Sequence, residues 1–279
     1  MAEASKNDWL LKETSGIEQT LDPRLQRHLP ASHAFRWLAK GWKDLWLSPW
    51  SSLAYGLLVF TVSVIVIYTM FTMGWDYVLF PALAGFMIIG PVMAVGLYQK
   101  SRSIEEGRPA RLDEMILIKS GSAGQIIFLG LLLALLMLLW MRAAVLLYAL
   151  FFGYRGFPGT EGIVPLLLGT PNGWGMLVTG TLVGGLFAAF AFAISALSVP
   201  MLLVKRLDAV TAMGTSLKLV WNNAAVMVAW GAIVAALFAV SVATGLIGLI
   251  VIFPLLGHAT WHAYRAIAEP SAPPPTGQQ

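Results

Sequence analysis

The chain has 279 residues, 58% of them hydrophobic and only 11% charged, with a formal net charge of +4. A soluble domain carries about a quarter charged residues, so these proportions exclude a water-soluble enzyme, a coiled coil and a disordered chain. The absence of cysteine removes disulfides, thiolate metal sites, iron–sulfur ligation and a catalytic thiol.

Residues 1–30 mix charges of both signs and contain no apolar core followed by a small-residue cleavage site. They read as a polar, disordered cytoplasmic tail and not as a cleavable signal. Residues 31–50 follow as an amphipathic interfacial helix. Trp42, Trp46 and Trp50 recur every four positions, beside Arg36, Lys40 and Lys43. On a helix this spacing sets aromatic bulk into the acyl boundary and basic groups against anionic lipid phosphates. A membrane-anchoring elbow accounts for every one of these residues, and docking of a protein partner is the sharper alternative.

Long apolar runs come next, at Ser52–Met70, Tyr77–Tyr98, Gln125–Phe152 and Trp174–Val204. No Asp, Glu, Lys or Arg occurs between Ala224 and Tyr264. At 1.5 Å per residue that stretch is about 60 Å long, twice the ~30 Å hydrocarbon thickness. It predicts two spans turning at Ser241–Gly245. The expected fold is therefore an all-α membrane protein with six transmembrane helices filling residues 51–268, followed by a disordered tail over 269–279.

Charge placement orients these spans. With the N-terminus inside, residues 1–50, 100–122, 205–222 and the C-terminal end from Arg265 face the cytoplasm and hold sixteen of the 18 Lys and Arg residues. Translocating positive charge is disfavoured, so both termini are expected inside. Trp50, Trp75, Trp174, Trp221 and Trp261 fall near span ends, as amphipathic rings do in any membrane protein. No basic domain with interleaved aromatics lies outside the membrane, and nucleic acid is not an expected partner.

Three stretches share one physical pattern, at Ala34–Phe60, Arg111–Leu136 and Leu207–Val234. Each opens with a short amphipathic segment and passes a small or polar break, at Ser48-Pro49, Ser120-Gly121-Ser122 or Asn222-Asn223, before entering the membrane. The predicted architecture is three transmembrane hairpins, each preceded by an interfacial helix. Such repeats are common in transporters, and they also arise by duplication in proteins that carry nothing. Pro81, Pro91, Pro200 and Pro254 fall in the second helix of each hairpin and predict kinks or local breaks.

Candidate sites are few. His258 and His262 sit at i and i+4 on one face of the last helix, where two imidazoles can share a metal, but no Asp or Glu accompanies them in the sequence. Interfacial, hydrogen-bonded histidines are the ordinary reading, and neither a metal nor a cofactor is expected. Arg142 is the one ionisable residue well inside an apolar run, about 26 Å up its helix from Gln125. It is expected either to pair with Asp76 or Glu161 at the outer face or to snorkel to water. Gly180, Gly184 and Ala188, with Gly185, Ala189 and Ala193, form small-residue faces suited to helix packing or dimerisation. The outer loop Gly153–Gly173 has an apolar centre, Ile163–Leu168, which either returns to the membrane surface or docks on a partner. No phosphate-binding loop, dinucleotide motif or nucleophile elbow is present.

Gly41-Trp42-Lys43-Asp44-Leu45, Ser48-Pro49, Ser52-Leu53 and Tyr55-Gly56, together with His258-Ala259-Thr260-Trp261-His262-Ala263-Tyr264-Arg265, resemble an uncharacterised family of bacterial integral membrane proteins. The family is a domain of unknown function, some members of which are labelled as like cytochrome c oxidase subunit I. The resemblance covers about residues 30–268 and implies a six-helix protein of the bacterial inner membrane, without an activity. The catalytic haem–copper subunit requires six histidine ligands spread over several helices. Two on one helix cannot supply them, so the label suits at most an accessory or assembly partner of a respiratory complex. The expected function is non-enzymatic binding within a membrane complex. The alternatives are a permease or channel for an uncharged or amphipathic solute, and lipid or quinone binding in a side groove.

Overall fold

The computed structural model describes residues 28–109, 114–115, 122–153 and 156–268. The tail expected over 1–30 lies outside the described residues apart from residues 28–30. So do the tail at 269–279 and most of the second amphipathic segment. The described residues are helical, with no strand among them: α1 His33–Leu47, α2 Pro49–Thr72, α3 Leu79–Met93, α4 Val95–Glu105, α5 Ala123–Phe152, α6 Gly159–Gly169, α7 Pro171–Ser195, α8 Ser198–Val204, α9 Ala209–Asn222, α10 Ala224–Ala243 and α11 Leu249–Ala268.

Local chemistry sets the boundaries. Proline occupies the first turn of α2 and of α7, where its missing N–H would have had no partner in any case. The Thr170 hydroxyl accepts from Gly173 N–H at 3.0 Å to cap α7, and Asp208 accepts from Thr211 N–H at 2.8 Å to cap α9. Helix α10 ends in a reciprocal carbonyl cap. Leu246 N–H reaches Ser241 O at 2.7 Å and Gly245 N–H reaches Val242 O at 3.0 Å, with Gly245 at φ +63.

Among the described residues five helical stretches are long and apolar enough to cross a membrane: Pro49–Thr72, Asp76–Glu105, Ala123–Phe152, Pro171–Val204 and Ala224–Ala243. Their outer faces expose large apolar side chains such as Leu58, Ile65, Leu135, Leu146, Leu186 and Val228. The expected sixth span, α11, falls short. Its second half carries His258, Thr260, His262 and Arg265, and most of its length is buried inside the bundle. Two of the five stretches are broken where proline was expected to act. Helix α3 contains Pro91 and gives way to α4 at Ala94, and the Tyr55 hydroxyl donates to the freed Met93 carbonyl at 2.6 Å. Helix α7 gives way to α8 at Ala196-Leu197, upstream of Pro200. There Ser216 accepts from Leu197 N–H at 3.3 Å and donates to Ala193 O at 2.8 Å. In both breaks a hydroxyl from another helix replaces the missing partner, as an apolar medium demands.

Packing departs from the expectation of consecutive hairpins. Helix α2 packs chiefly on α11 and hardly on α3, while α3 packs on α5 and α7. Helix α11 is the hub, lying against α1, α2 and α4. Glycines permit this closeness. A Cβ on Gly41 would stand 2.6 Å from Ala259 N, and one on Gly56 would collide with the Ile250 carbonyl.

Candidate functional site: a buried polar clasp beside two apolar cavities

Helix α1 presents three faces. Ala34, Trp37, Gly41, Asp44 and Leu45 form its buried stripe, turned to α11. Phe35, Trp42 and Trp46 form an exposed aromatic stripe, with the two tryptophan rings edge to face at 5.6 Å. Arg36, Lys40 and Lys43 line the exposed side next to it, and Trp50 is 84% exposed just beyond the helix. The residues expected to anchor the elbow thus all point away from the bundle. The helix is nevertheless more than an interfacial float, because its buried stripe is part of the core and delivers a carboxylate to it.

That carboxylate belongs to a chain of buried polar groups drawn from four helices. Lys100 of α4 donates to Ser48 O at 2.6 Å and to the Ser52 hydroxyl of α2. Ser52 Oγ lies 2.8 Å from His258 Nε2 of α11, and His258 Nδ1 lies 2.8 Å from Ser101 Oγ. Ser101 donates to Asp44 Oδ2 at 2.7 Å, and Asp44 Oδ2 also lies 2.8 Å from His262 Nε2. His262 Nδ1 is 3.9 Å from Glu105, which pairs with Arg265 at 3.2 Å. Ser52, Ser101 and His258 are fully buried and Lys100 is 1% exposed.

Donor and acceptor inventory assigns the direction of this chain. An ammonium can only donate and an ionised carboxylate can only accept. With Ser101 donating to Asp44, its oxygen must accept from His258 Nδ1–H, which leaves Nε2 to accept from Ser52, which in turn accepts from Lys100. One tautomer of His258 therefore satisfies every member. It links a buried cation to a buried anion through three neutral groups, a clasp that joins α1, α2, α4 and α11. Burial works against ionisation of Asp44, but the hydrogen bonds from His262 and Ser101 outweigh it and hold its carboxyl below the ordinary carboxylate value.

The clasp corrects two sequence expectations. His258 and His262 do have carboxylates beside them, Asp44 and Glu105, brought from distant positions by the packing of α1 and α4 on α11. Lys100, expected in a cytoplasmic loop, sits in the core because the helix runs on through Glu105. The signals were present in the sequence. Asp44 continues the apolar stripe of α1, and no helix breaker follows Tyr98. No group of three or more His, Asp or Glu residues suited to a metal ion occurs among the described residues.

Other expected sites fare differently. Arg142 is exposed on α5, and no salt bridge joins it to Asp76 or Glu161, so the ion pair is not formed and snorkelling is left. The apolar centre of the outer loop becomes α6, packed on α7 and on the short 3-10 turn Asp76–Val78. Of the small-residue stripe, only Gly184 is pressed by a neighbour, with a Cβ there standing 2.8 Å from the Trp140 ring. A Cβ on Gly180 or Gly185 would meet no neighbouring atom within 4 Å. The stripe instead lines an apolar cavity of about 690 Å³ between α3, α5 and α7, which Gly180, Gly184, Gly185 and Ala188 border. A second apolar cavity, of about 620 Å³, opens between α7 and α10 over a floor of α3, α4 and α11. Ala188 and Ala189 border this one.

Residues 79–203 match the model of a family described as Predicted integral membrane protein (DUF2189), a shorter stretch than the 30–268 expected from resemblance. That description assigns no activity and makes no reference to an oxidase. No curated protein and no solved structure matches the chain. The matched segment runs from α3 to α8 and contains the first cavity apart from Tyr77, together with Lys100 and Ser101 of the clasp. The chain is an integral, multi-pass membrane protein.

Proposed function

We propose that this integral membrane protein, of the kind matched over residues 79–203, acts by binding inside the bilayer, as an accessory or assembly subunit of a membrane complex. The observation that carries this reading is the first cavity. A stripe of small residues, Gly180, Gly184, Gly185 and Ala188, borders about 690 Å³ of apolar space and receives no helix from its own bundle apart from Trp140 against Gly184. Small residues are the usual seat for a close-packed transmembrane helix, and a partner's helix would complete the packing that the sequence pattern foretells.

The non-enzymatic part of the proposal draws support from the clasp. Ser52 beside His258 and Lys100 resembles a nucleophile with a base. All three are sealed from any substrate, and their hydrogen bonds are spent on one another. The clasp also occupies one level of the bundle, so it offers no polar path for a solute and favours a static over a permease role. We further infer a sixth crossing by α11 and both termini on the basic, cytoplasmic side of a bacterial inner membrane. The skew of Lys and Arg supports that orientation.

The test is purification from the native membrane in mild detergent, comparing wild type with a Gly180→Leu, Gly185→Leu variant. The expected result is a stoichiometric membrane partner that the variant loses while keeping its own fold. A wild-type preparation free of other polypeptides, or a partner retained by the variant, refutes the reading.

A further inference from the structure

The second cavity differs from the first in shape and in what stands at its mouth. Helices α7 and α10 touch little, with Phe192 3.9 Å from the Cβ position of Gly231, and the fissure between them follows α10 from Ala224 to Phe238. Fourteen residues of helix make that about 21 Å. One leaflet of hydrocarbon is about 15 Å deep, so the fissure is long enough to take an extended chain from the headgroup level to the bilayer centre. Its floor is shallow-walled where Gly90, Ala94 and Gly257 carry little or no side chain, and it closes at the stacked rings of Phe86 and Phe238, 5.4 Å apart.

The mouth is chemically unlike the interior. Trp221, 81% exposed, borders it at the end of α9, and Lys218 lies one helical turn away on the same side of that helix. Lys218 is exposed and makes no ion pair with any described residue. An amphipathic ring and a free ammonium at the end of an apolar slot match an anionic head group above a hydrocarbon tail. The slot itself offers almost no polar recognition. Away from the mouth only Tyr98, Trp230 and Thr260 carry polar side-chain atoms, and Thr260 already donates to Leu256 O at 2.8 Å. The rest of the lining away from the mouth is apolar, which suits an acyl chain because that needs no hydrogen bond.

We propose that the fissure between α7 and α10 is a binding site for one acyl chain of an anionic phospholipid, with the head group held at Lys218 and Trp221. The clasp lies directly behind its floor. Gly257 and Thr260 border the fissure, while His258 and His262, on the other side of the same helix, face Asp44 and Ser101. A bound chain therefore fills the space against which α11 would otherwise have to collapse, and the site shares only Met87 and Ala188 with the partner groove between α3, α5 and α7.

The experiment is native mass spectrometry of the full chain, reconstituted in vesicles of phosphatidylcholine with 10 mol% phosphatidylglycerol and extracted in mild detergent. Wild type is expected to retain one phosphatidylglycerol per chain. Ala235→Phe, which fills the slot, is expected to reduce that occupancy at least tenfold. Lys218→Glu, which touches only the mouth, is expected to abolish the preference for phosphatidylglycerol over phosphatidylcholine. Leu182→Phe, on the exposed face of α7 away from the fissure, is expected to behave as wild type. Retention of both lipids in bulk proportion by wild type, unchanged selectivity in Lys218→Glu, or a polypeptide in place of lipid overturns the proposal. Because Lys218 is exposed, its variant decides the matter even where Ala235→Phe fails to fold.

Discussion

Lys100 and Asp44 do not touch, yet the clasp makes them one unit, and a double-mutant cycle measures whether they are. Asp44→Ala removes the acceptor of Ser101 O–H and of His262, and it strips the buried Lys100 ammonium of its opposing charge. Breaking a buried ion pair by deleting one partner costs about 3–5 kcal/mol, most of it the burden of the charge left behind. Lys100→Met keeps the length of the side chain. Its loss leaves Ser48 O still served by the Ser51 hydroxyl at 3.1 Å, so the cost comes mainly from the now unopposed Asp44 and falls toward the lower end of that range. The double variant Asp44→Ala, Lys100→Met leaves neither charge in the clasp. It should therefore be more stable than the sum of its single variants by more than about 1 kcal/mol, since neighbours in one network are not additive. The assay is equilibrium unfolding in mixed micelles by detergent titration, followed by far-ultraviolet circular dichroism and tryptophan fluorescence. Additivity within about 0.5 kcal/mol would refute the bridge through Ser52, His258 and Ser101 and reduce the clasp to unrelated contacts.

Other outcomes follow from the same geometry. Ser101→Ala leaves the His258 Nδ1–H without its acceptor, and in the same unfolding assay it should cost about 1–3 kcal/mol, the penalty for a buried orphan. The Asp44 carboxyl ionises more readily folded than unfolded. Its contribution is thus present above its ordinary value of 3.8 and is lost as the pH falls through the lower folded value. The wild-type unfolding midpoint should drop on acidification through that region, and the Asp44→Asn midpoint should drop less. Gly41→Leu forces a side chain into the Ala259 backbone and should cost at least about 1–3 kcal/mol, read as loss of folded yield and a lowered midpoint. Arg142→Leu breaks no ion pair and should change stability by no more than about 0.5 kcal/mol, and a larger loss would restore the ion pair with Asp76 or Glu161.

The sequence by itself determined what can be read one helix at a time. Unbroken apolar runs at Ser52–Met70, Tyr77–Tyr98, Gln125–Phe152 and Trp174–Val204 announce membrane helices, because a helix satisfies all its backbone hydrogen bonds within one such run. Proline foretold the breaks near Ala94 and Ala196, and the three tryptophans of the elbow foretold an exposed aromatic face. Each is a local consequence of solvent and of backbone hydrogen bonding. What only the tertiary structure decided is which helices meet. Helix α11 looked like a sixth apolar span because histidine and threonine do not interrupt an uncharged run. Its polar face acquires meaning only when α1 brings Asp44 and α4 brings Lys100, Ser101 and Glu105 against it. The small-residue stripe of α7 misled in the opposite sense. Spacing says that a helix can approach closely, but not that the chain supplies one, and here the bundle leaves Gly180 and Gly185 facing open space. Contacts between residues as distant as Asp44 and His262 depend on how whole helices pack, which no local pattern encodes.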